Sequence, residues 1–183
     1  MPRRRLILIT GMPGSGKTTV ARFFEELGYR VQTMGDVIRV LAEERRLEPT
    51  PRSIGSIAEA IRRDEGEAAV ARRCIEKLSR EEPARVVVDG VRSLAEVEAF
   101  REAFDVVLVA VHASQRTRFN RLRERGREDD PKDFETFAER DRRELEFSMG
   151  SAVAMADCMI VNEGSLRDLR RAFEALMERL REE

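Results

Sequence analysis

A glycine-rich segment near the start of the chain carries the residues with the clearest chemistry. An apolar run from Leu6 to Ile9 precedes it, and the segment reads Gly11-Met12-Pro13-Gly14-Ser15-Gly16-Lys17-Thr18. In a phosphate-binding loop (P-loop), glycines turn backbone N–H groups toward phosphates, the lysine reaches the β and γ oxygens, and the hydroxyl after it holds Mg²⁺. We therefore expect residues 11–19, Thr19 included, to bind ATP, with Lys17 catalytic and Thr18 a metal ligand.

The residues after this loop predict a helix. Apolar side chains recur at helical spacing from Thr19 to Leu27, and Gly28 follows as a stop signal. A loop between a strand and a helix places the positive end of the helix dipole at the bound anion.

A carboxylate stands at the end of a second apolar run, Val86-Val87-Val88-Asp89. The carboxyl end of a strand beside a P-loop is where an acid can hold the water shell of Mg²⁺, so Asp89 is predicted as a metal residue. The alternative is that Asp89 only caps the turn at Gly90.

Two arginines follow predicted strand ends and are candidates for binding an acceptor phosphate. Arg39 comes after Asp36, which is predicted to cap a helix, and Arg92 comes after Asp89. Paired guanidinium groups bind phosphate through bidentate hydrogen bonds. A solvated helix face is the alternative for Arg39, and a surface ion pair is the alternative for Arg92.

A later segment is rich in arginine. Helical geometry spreads its arginines over several faces, so most are predicted to be exposed and paired with acids. We expect Arg121, Arg125 and Arg127 to reach a nucleotide, with Arg125 and Arg127 acting on the transferred phosphoryl group. The full set is Arg116, Arg118, Arg121, Arg123, Arg125 and Arg127.

The composition excludes several classes of protein. In 183 residues, 34 Lys+Arg against 35 Asp+Glu leave a formal net charge of -1, which disfavours a nucleic-acid partner. No apolar stretch reaches membrane-spanning length, so a cytoplasmic protein is predicted. The cysteines, Cys74 and Cys158, lack metal or redox spacing and are expected to be buried.

Five apolar runs alternate with helical patterns, which predicts an α/β P-loop NTPase fold in three layers with a five-stranded parallel sheet. One domain, 1–183, is expected. The predicted strands are Arg5 to Thr10, Arg30 to Met34, Arg85 to Asp89, Asp105 to His112, and Cys158 to Asn162.

Two intervals are too long for simple crossovers and should cover the carboxyl edge of the sheet. The acceptor-binding segment, 35–82, includes a break at Pro49-Thr50-Pro51 and a long helix from about Ile54. The lid, 114–149, has a turn signal at Asp129-Asp130-Pro131 and contains Phe119, Phe134, Phe137 and Phe147, which are expected to pack lid helices together.

Several of these motifs resemble nucleoside monophosphate kinases, above all adenylate kinases. Gly35-Asp36-Val37-Ile38-Arg39 resembles their acceptor-binding segment, and Asp89-Gly90-Val91-Arg92-Ser93 is similar to their Asp-Gly-x-Pro-Arg, without the proline and with the arginine one place closer. Arg127-Glu128-Asp129-Asp130 resembles the adenylate kinase lid, with Arg140 as a second lid arginine. The resemblance implies that Arg39 and Arg92 bind an acceptor phosphate.

The end of the chain has a second likeness. Residues 156–166, which include Asn162-Glu163-Gly164-Ser165, resemble dephospho-coenzyme A kinases, in which this turn lies near the donor base. This implies that Asn162 binds the cofactor nucleotide. As a whole the chain resembles archaeal adenylate kinase-related P-loop proteins.

These observations predict an enzyme that uses ATP and Mg²⁺ to phosphorylate a nucleoside monophosphate or a related phosphate-bearing acceptor. Three alternatives stay open: dephospho-coenzyme A kinase activity, a nucleotide-dependent switch or regulatory ATPase with water as acceptor, and an RNA contact through the arginine-rich stretch. The acceptor, the choice between ATP and GTP, and the oligomeric state are left undetermined.

Overall fold

Alternating strands and helices build a three-layer α/β fold. The computed structural model describes residues 3–44, 46, 51–127, 130–146 and 148–182. The strands are β1 (Arg5–Thr10), β2 (Arg30–Thr33), β3 (Val86–Val91), β4 (Asp105–His112) and β5 (Cys158–Val161). The helices are α1 (Lys17–Glu26), α2 (Met34–Glu44), α3 (Pro51–Glu65), α4 (Ala69–Glu81), α5 (Leu94–Ala103), α6 (Gln115–Arg125), α7 (Phe134–Glu146), α8 (Met149–Ala154) and α9 (Leu166–Glu182).

The sheet is parallel throughout, in the order β2-β3-β1-β4-β5. The predicted fold class is confirmed. The strand β1, which leads into the P-loop, lies at the centre and pairs with β3 on one side and β4 on the other. Because parallel strands end at the same edge, the P-loop and the residues after β3 and β4 meet there.

Alternation along the central strands divides the core between two faces. Leu6 and Leu8 pack among the residues of α2 to α5, whereas Ile7 and Ile9 pack against α1 and α9. Both faces of β1 are therefore buried, which explains its continuously apolar sequence.

Two predicted boundaries are wrong. The strand β3 continues past Asp89 to Val91, because Gly90 adopts φ 94° and the pairing register with β1 shifts there. The predicted long helix is two helices, α3 and α4, separated by Gly66 at φ 95°. These positive φ angles favour glycine and interrupt regular pairing or helix geometry.

The start of α2 also differs from the prediction. The hydroxyl of Thr33 accepts from the N–H of Asp36 (3.0 Å), and the Asp36 carboxylate accepts from the N–H of Thr33 (3.4 Å). This is a capping box in which Thr33 is the cap and Asp36 its partner three residues later. Of the predicted break, Pro49 and Thr50 lie outside the described residues.

Among the residues that the structure describes, no helix combines the length and apolar character needed to cross a bilayer. Both cysteines are buried, as predicted.

Candidate functional site

The P-loop turns tightly between β1 and α1. Gly11, Gly14 and Gly16 have φ angles of 146°, 80° and 104°. A Cβ at Gly11 would lie 2.2 Å from the carbonyl oxygen of Val111, and one at Gly14 would lie 2.8 Å from that of Arg118. Only glycine therefore fits where β4 and α6 approach the loop.

The Lys17 side chain folds back over this loop. Its Nζ donates to the carbonyl oxygens of Gly11 (2.6 Å) and Met12 (3.3 Å). Burial lowers the pKa of Lys17 to about 8, and the negative charge of Asp89 opposes this shift. The ammonium group is thus held against the loop, on the wall of the cleft.

Asp89 lies on β3 beside the strand that leads into the P-loop, and its carboxylate lacks a full set of hydrogen-bond partners. Its Oδ1 is buried and has no hydrogen-bond partner among the described residues. Burial raises the pKa of this carboxyl, and Lys17 partly offsets the rise. A buried oxygen without a partner is costly, and a cation or its water shell would satisfy it. The exposed hydroxyl of Thr18 lines the same cleft, so the donor set fits Mg²⁺.

Arg92 is held at two points. Its backbone N–H donates to Oε2 of Glu96 (2.7 Å), and its Nη1 donates to Oε2 (3.2 Å) and Oε1 (3.4 Å) of Glu144 in α7. The Arg92 side chain is 45% exposed, but that of Glu144 is only 11% exposed. Arg92 therefore faces the cleft, in contact with a lid carboxylate.

Glu96 extends this network to α3. Its carboxylate is fully buried and accepts from Nη2 (2.8 Å) and Nε (3.2 Å) of Arg62, which lines the same cleft. One buried acid thus joins Arg62 to the backbone of Arg92.

Arg39, the other predicted acceptor arginine, also lines the cleft. It forms an ion pair with Asp36, and both side chains are about half exposed, at 52% and 43%. The Asp36 carboxylate therefore accepts hydrogen bonds both from Arg39 and from the N–H of the cap residue Thr33.

Arg118, predicted to be exposed with its neighbours, is 4% exposed. It donates to Asp141 of α7 through Nη1 (2.7 Å) and Nη2, and to the carbonyl oxygens of Ala113 (3.0 Å) and Pro13 (3.3 Å). The pair joins the P-loop to the lid. Such a buried ion pair needs these extra hydrogen bonds to offset desolvation.

Arg121 and Asn162 contact each other beside the P-loop, where the chain leaves β5. Arg121 donates to the carbonyl oxygen of Asn162 (2.9 Å) and to its Oδ1 (3.2 Å), while Nδ2 of Asn162 donates to the carbonyl oxygen of Ser15 (2.8 Å). Asn162 also lies so close to Gly16 that a Cβ there would be 2.4 Å from Nδ2. The segment after β5 is thus fixed against the loop.

Two further lid arginines, Arg125 and Arg127, contact Asp130. Arg125 donates through Nε (2.8 Å) and Nη2 to Asp130, whose carboxylate also accepts from the N–H of Arg127 (3.0 Å). The hydrogen bonds from Arg125 lower the pKa of Asp130. Arg127 and Arg140 line the cleft, whereas Glu128 and Asp129 lie outside the described residues.

Three lid phenylalanines pack together as expected: Phe119 lies 5.5 Å from Phe134 and 5.6 Å from Phe137 between ring centroids. Phe147 lies outside the described residues.

Several of these groups line one cleft of about 1070 Å³, whereas Arg118, Arg121, Arg125 and Asn162 do not. Lys17, Thr18 and Asp89 lie along its P-loop side, and residues of α2, α3, α7 and the Arg92 loop complete its walls. Of the predicted residues, the cleft contains Pro13, Lys17, Thr18, Arg39, Asp89, Arg92 and Arg127.

Sequence reasoning missed Arg62, Glu96, Arg118, Asp141 and Glu144. One signal was available: Phe137, Asp141 and Glu144 recur at helical spacing and form the buried face of α7. Two acids on the buried face of a helix predict paired or functional charges.

Comparisons with known proteins agree with this geometry. A family described as an AAA domain matches residues 7–146. A UPF0200 protein of Hyperthermus butylicus is 44% identical over 177 residues, covering 97% of this chain and 95% of that protein. A UPF0200 protein of Methanocaldococcus jannaschii is 41% identical over 177 residues, with 96% and 90% covered. The chain therefore belongs to the AAA-domain family and to the UPF0200 proteins.

Solved structures give the same fold. TT1252 from Thermus thermophilus has a TM-score of 0.66 and 25% identity, covering 97% of this chain and 98% of its own. A shikimate kinase from Bacteroides thetaiotaomicron has a TM-score of 0.61 and 16% identity, with the same shares covered. The protein is thus a P-loop protein of kinase-like fold, as the sequence motifs predicted.

Proposed function

We propose that this protein is an ATP- and Mg²⁺-dependent phosphotransferase that moves the γ-phosphoryl group to a nucleoside monophosphate or related phosphate-bearing acceptor. The observation that carries the proposal is the placement of Arg92 and Arg39 in the same cleft as Lys17 and Asp89. A nucleotide binder alone needs no second cationic wall opposite its triphosphate.

The donor would lie on the P-loop. Backbone N–H groups of residues 11–19 and the dipole of α1 would bind its phosphates, and Lys17 would neutralise the β and γ oxygens. Arg121 and Asn162 would border the nucleotide on the β5 side. Thr18 and Asp89 would hold Mg²⁺ or its water shell; when bound, this ion supplies charge neutralisation between the β and γ phosphates.

The acceptor would bind between the two cationic segments. Arg92 and Arg39, supported by Asp36, would hold its phosphate, and Arg125 and Arg127 would stabilise charge on the transferred group. The lid would exclude water from the cleft and so limit hydrolysis. The proposed assignments of 35–82 as acceptor-binding segment and 114–149 as lid follow from this arrangement.

Incubation of the protein with ATP and Mg²⁺ tests the proposal. We expect ADP formation to depend on one member of a panel of nucleoside monophosphates and dephospho-coenzyme A, and to stop when Mg²⁺ is chelated. Asp89→Asn should reduce turnover by about 100-fold or more, because the metal is needed for phosphoryl transfer. The same rate of ADP formation with and without every acceptor would refute the transferase.

Matched variants separate the transferase from a regulatory ATPase. Lys17→Ala should remove both acceptor-dependent and basal ADP formation, whereas Arg92→Ala should remove only the acceptor-dependent part. A basal rate that depends on Lys17 but exceeds every acceptor-dependent rate would favour the ATPase.

A further inference from the structure

Glu144 is a nearly buried carboxylate in the cleft. It projects from α7 with 11% of its side chain exposed, and its oxygens lie 3.2 and 3.4 Å from Nη1 of Arg92. These contacts are long for a charge-assisted hydrogen bond. An ionised carboxylate has about four acceptor sites, so it retains capacity for a further donor.

The negative charge of Glu144 acts on Lys17 in the P-loop. Glu144 and Asp89 both oppose the lowering of the Lys17 pKa, so both carboxylates act on the group that would contact the γ-phosphate. Glu144 also lines the cleft together with Thr18 and Arg92. It therefore faces the space between the phosphoryl donor and the acceptor arginine.

A carboxylate in this position is unfavourable for one kind of acceptor chemistry. If a phosphate oxygen of the acceptor were the nucleophile, it would already be ionised at neutral pH, would need no base, and would be repelled by Glu144. A hydroxyl nucleophile is neutral, is not repelled, and must lose its proton during the transfer. Glu59, Asp130 and Asp133 also line the cleft, but Asp89 is assigned to the metal and Glu144 is the carboxylate that contacts the acceptor arginine, Arg92.

We propose that Glu144 is the general base for a hydroxyl nucleophile, so that the phosphate-bearing acceptor is phosphorylated on a hydroxyl group. This inference rests on the proposed function and narrows its substrate class. The hydroxyl oxygen forms a bond to the γ phosphorus, the bond from that phosphorus to the β–γ bridging oxygen breaks, ADP leaves, and the hydroxyl proton passes to Glu144 and then to solvent. Arg92 binds the phosphate that the acceptor already carries.

Three variants on α7 test the proposal: Glu144→Gln, Glu144→Ala and, as a matched control, the exposed Glu139→Gln. ADP formation from Mg²⁺-ATP is measured without acceptor, where water is the hydroxyl nucleophile, and with a panel of hydroxyl-bearing phosphate monoesters. ATP binding is measured separately by calorimetry. Formate is added to Glu144→Ala as a replacement carboxylate.

We expect Glu144→Gln to lower ADP formation by about 100-fold or more. Its ATP affinity should stay within about threefold of the wild type, since Glu144 does not contact the P-loop backbone. Formate should restore at least about tenfold of the activity lost in Glu144→Ala, which a purely structural role would not allow. Glu139→Gln should match the wild type.

The product distinguishes the two acceptor chemistries. A phosphate monoester in the ³¹P spectrum supports the proposal, and a phosphoanhydride formed at the same rate by Glu144→Gln overturns it. Unchanged or faster ADP formation in Glu144→Gln, or loss of ATP binding without rescue by formate, also overturns it. If hydrolysis depends on Glu144 but no acceptor is phosphorylated, the base assignment stands and the transferase function fails. If the wild type forms no ADP at all, both fail.

Discussion

Lys17 shows how the fold changes the chemistry of a single side chain. Its Nζ contacts two carbonyl oxygens of its own loop, and burial lowers its pKa to about 8 from the ordinary value of 10.5. The unfolded chain therefore binds more protons than the folded protein between these two values. The contribution of Lys17 to stability rises with pH across this window, since the buried charge is unfavourable until it is neutralised.

This lowered pKa predicts a pH dependence of nucleotide binding. At a pKa of about 8, Lys17 is half protonated at pH 8 and about one tenth protonated at pH 9, so ATP affinity should fall about fivefold between these two pH values. Calorimetric titration with ATP across pH 7 to 9 measures this. In Lys17→Arg the cation stays charged, so the affinity should be independent of pH. An equally steep fall in Lys17→Arg would assign the effect to another group.

The contact between α3 and α5 shows how a buried carboxylate can hold two segments of the chain together. Glu96 is fully buried and joins Arg62 of α3 to the N–H of Arg92, while Ser93 caps α5 by accepting from the N–H of Glu96. Arg62 and Arg92, which both line the cleft, are thus held in place by the Glu96 carboxylate as well as by apolar contacts.

Removing Glu96 should destabilise the protein strongly. Glu96→Ala removes the carboxylate partner of the Arg62 guanidinium and of the Arg92 N–H, which should lower the free energy of unfolding by about 3–5 kcal/mol. The exposed Glu98→Ala on the same helix should change it by less than about 0.5 kcal/mol. Denaturant titration compares the two. The Arg62→Met and Glu96→Met double variant should recover part of the loss, because it buries no unpaired charge; equal effects of Glu96→Ala and Glu98→Ala would contradict this account.

Over the whole molecule, two apolar clusters share one central sheet. Phe24 lies in the cluster formed with α1 and α9, and Phe100 lies in the cluster formed with α2 to α5. Both side chains are fully buried. Since β1 contributes residues to both clusters, neither face can lose its packing without exposing the other.

A single unfolding transition should follow. Phe24→Ala and Phe100→Ala should each lower the free energy of unfolding by about 3–5 kcal/mol. Each should shift one common denaturant midpoint, seen equally by circular dichroism and by a fluorophore on either face. Leu166→Ala, at a side chain that is 65% exposed, is the control and should have little effect. Separate midpoints for the two faces would refute the prediction of one domain.

The P-loop and the sheet were predictable because they depend on local sequence. The glycine spacing around Lys17 has one geometric solution, and apolar strands that alternate with helices can bury both faces only as a parallel sheet. The acid at the end of the apolar run Val86-Val87-Val88 was visible for the same reason, although Asp89 lies inside β3 rather than after it. The extension of β3 to Val91 was missed because it depends on the backbone conformation of Gly90.

Tertiary structure alone decided which charges are partners. The sequence of this chain determined a phosphate-binding loop at the end of a central strand and arginine-rich segments around it. It did not show that Glu144 contacts Arg92 across 52 residues, or that Arg118 is buried against Asp141. The physical reason is that many arginines and acids alternate along this sequence, and most such residues are exposed, so the pattern does not show which arginine pairs with which acid. Only the placement of α7 beside Arg118 and Arg92 selects which of them lose water and gain a specific neighbour.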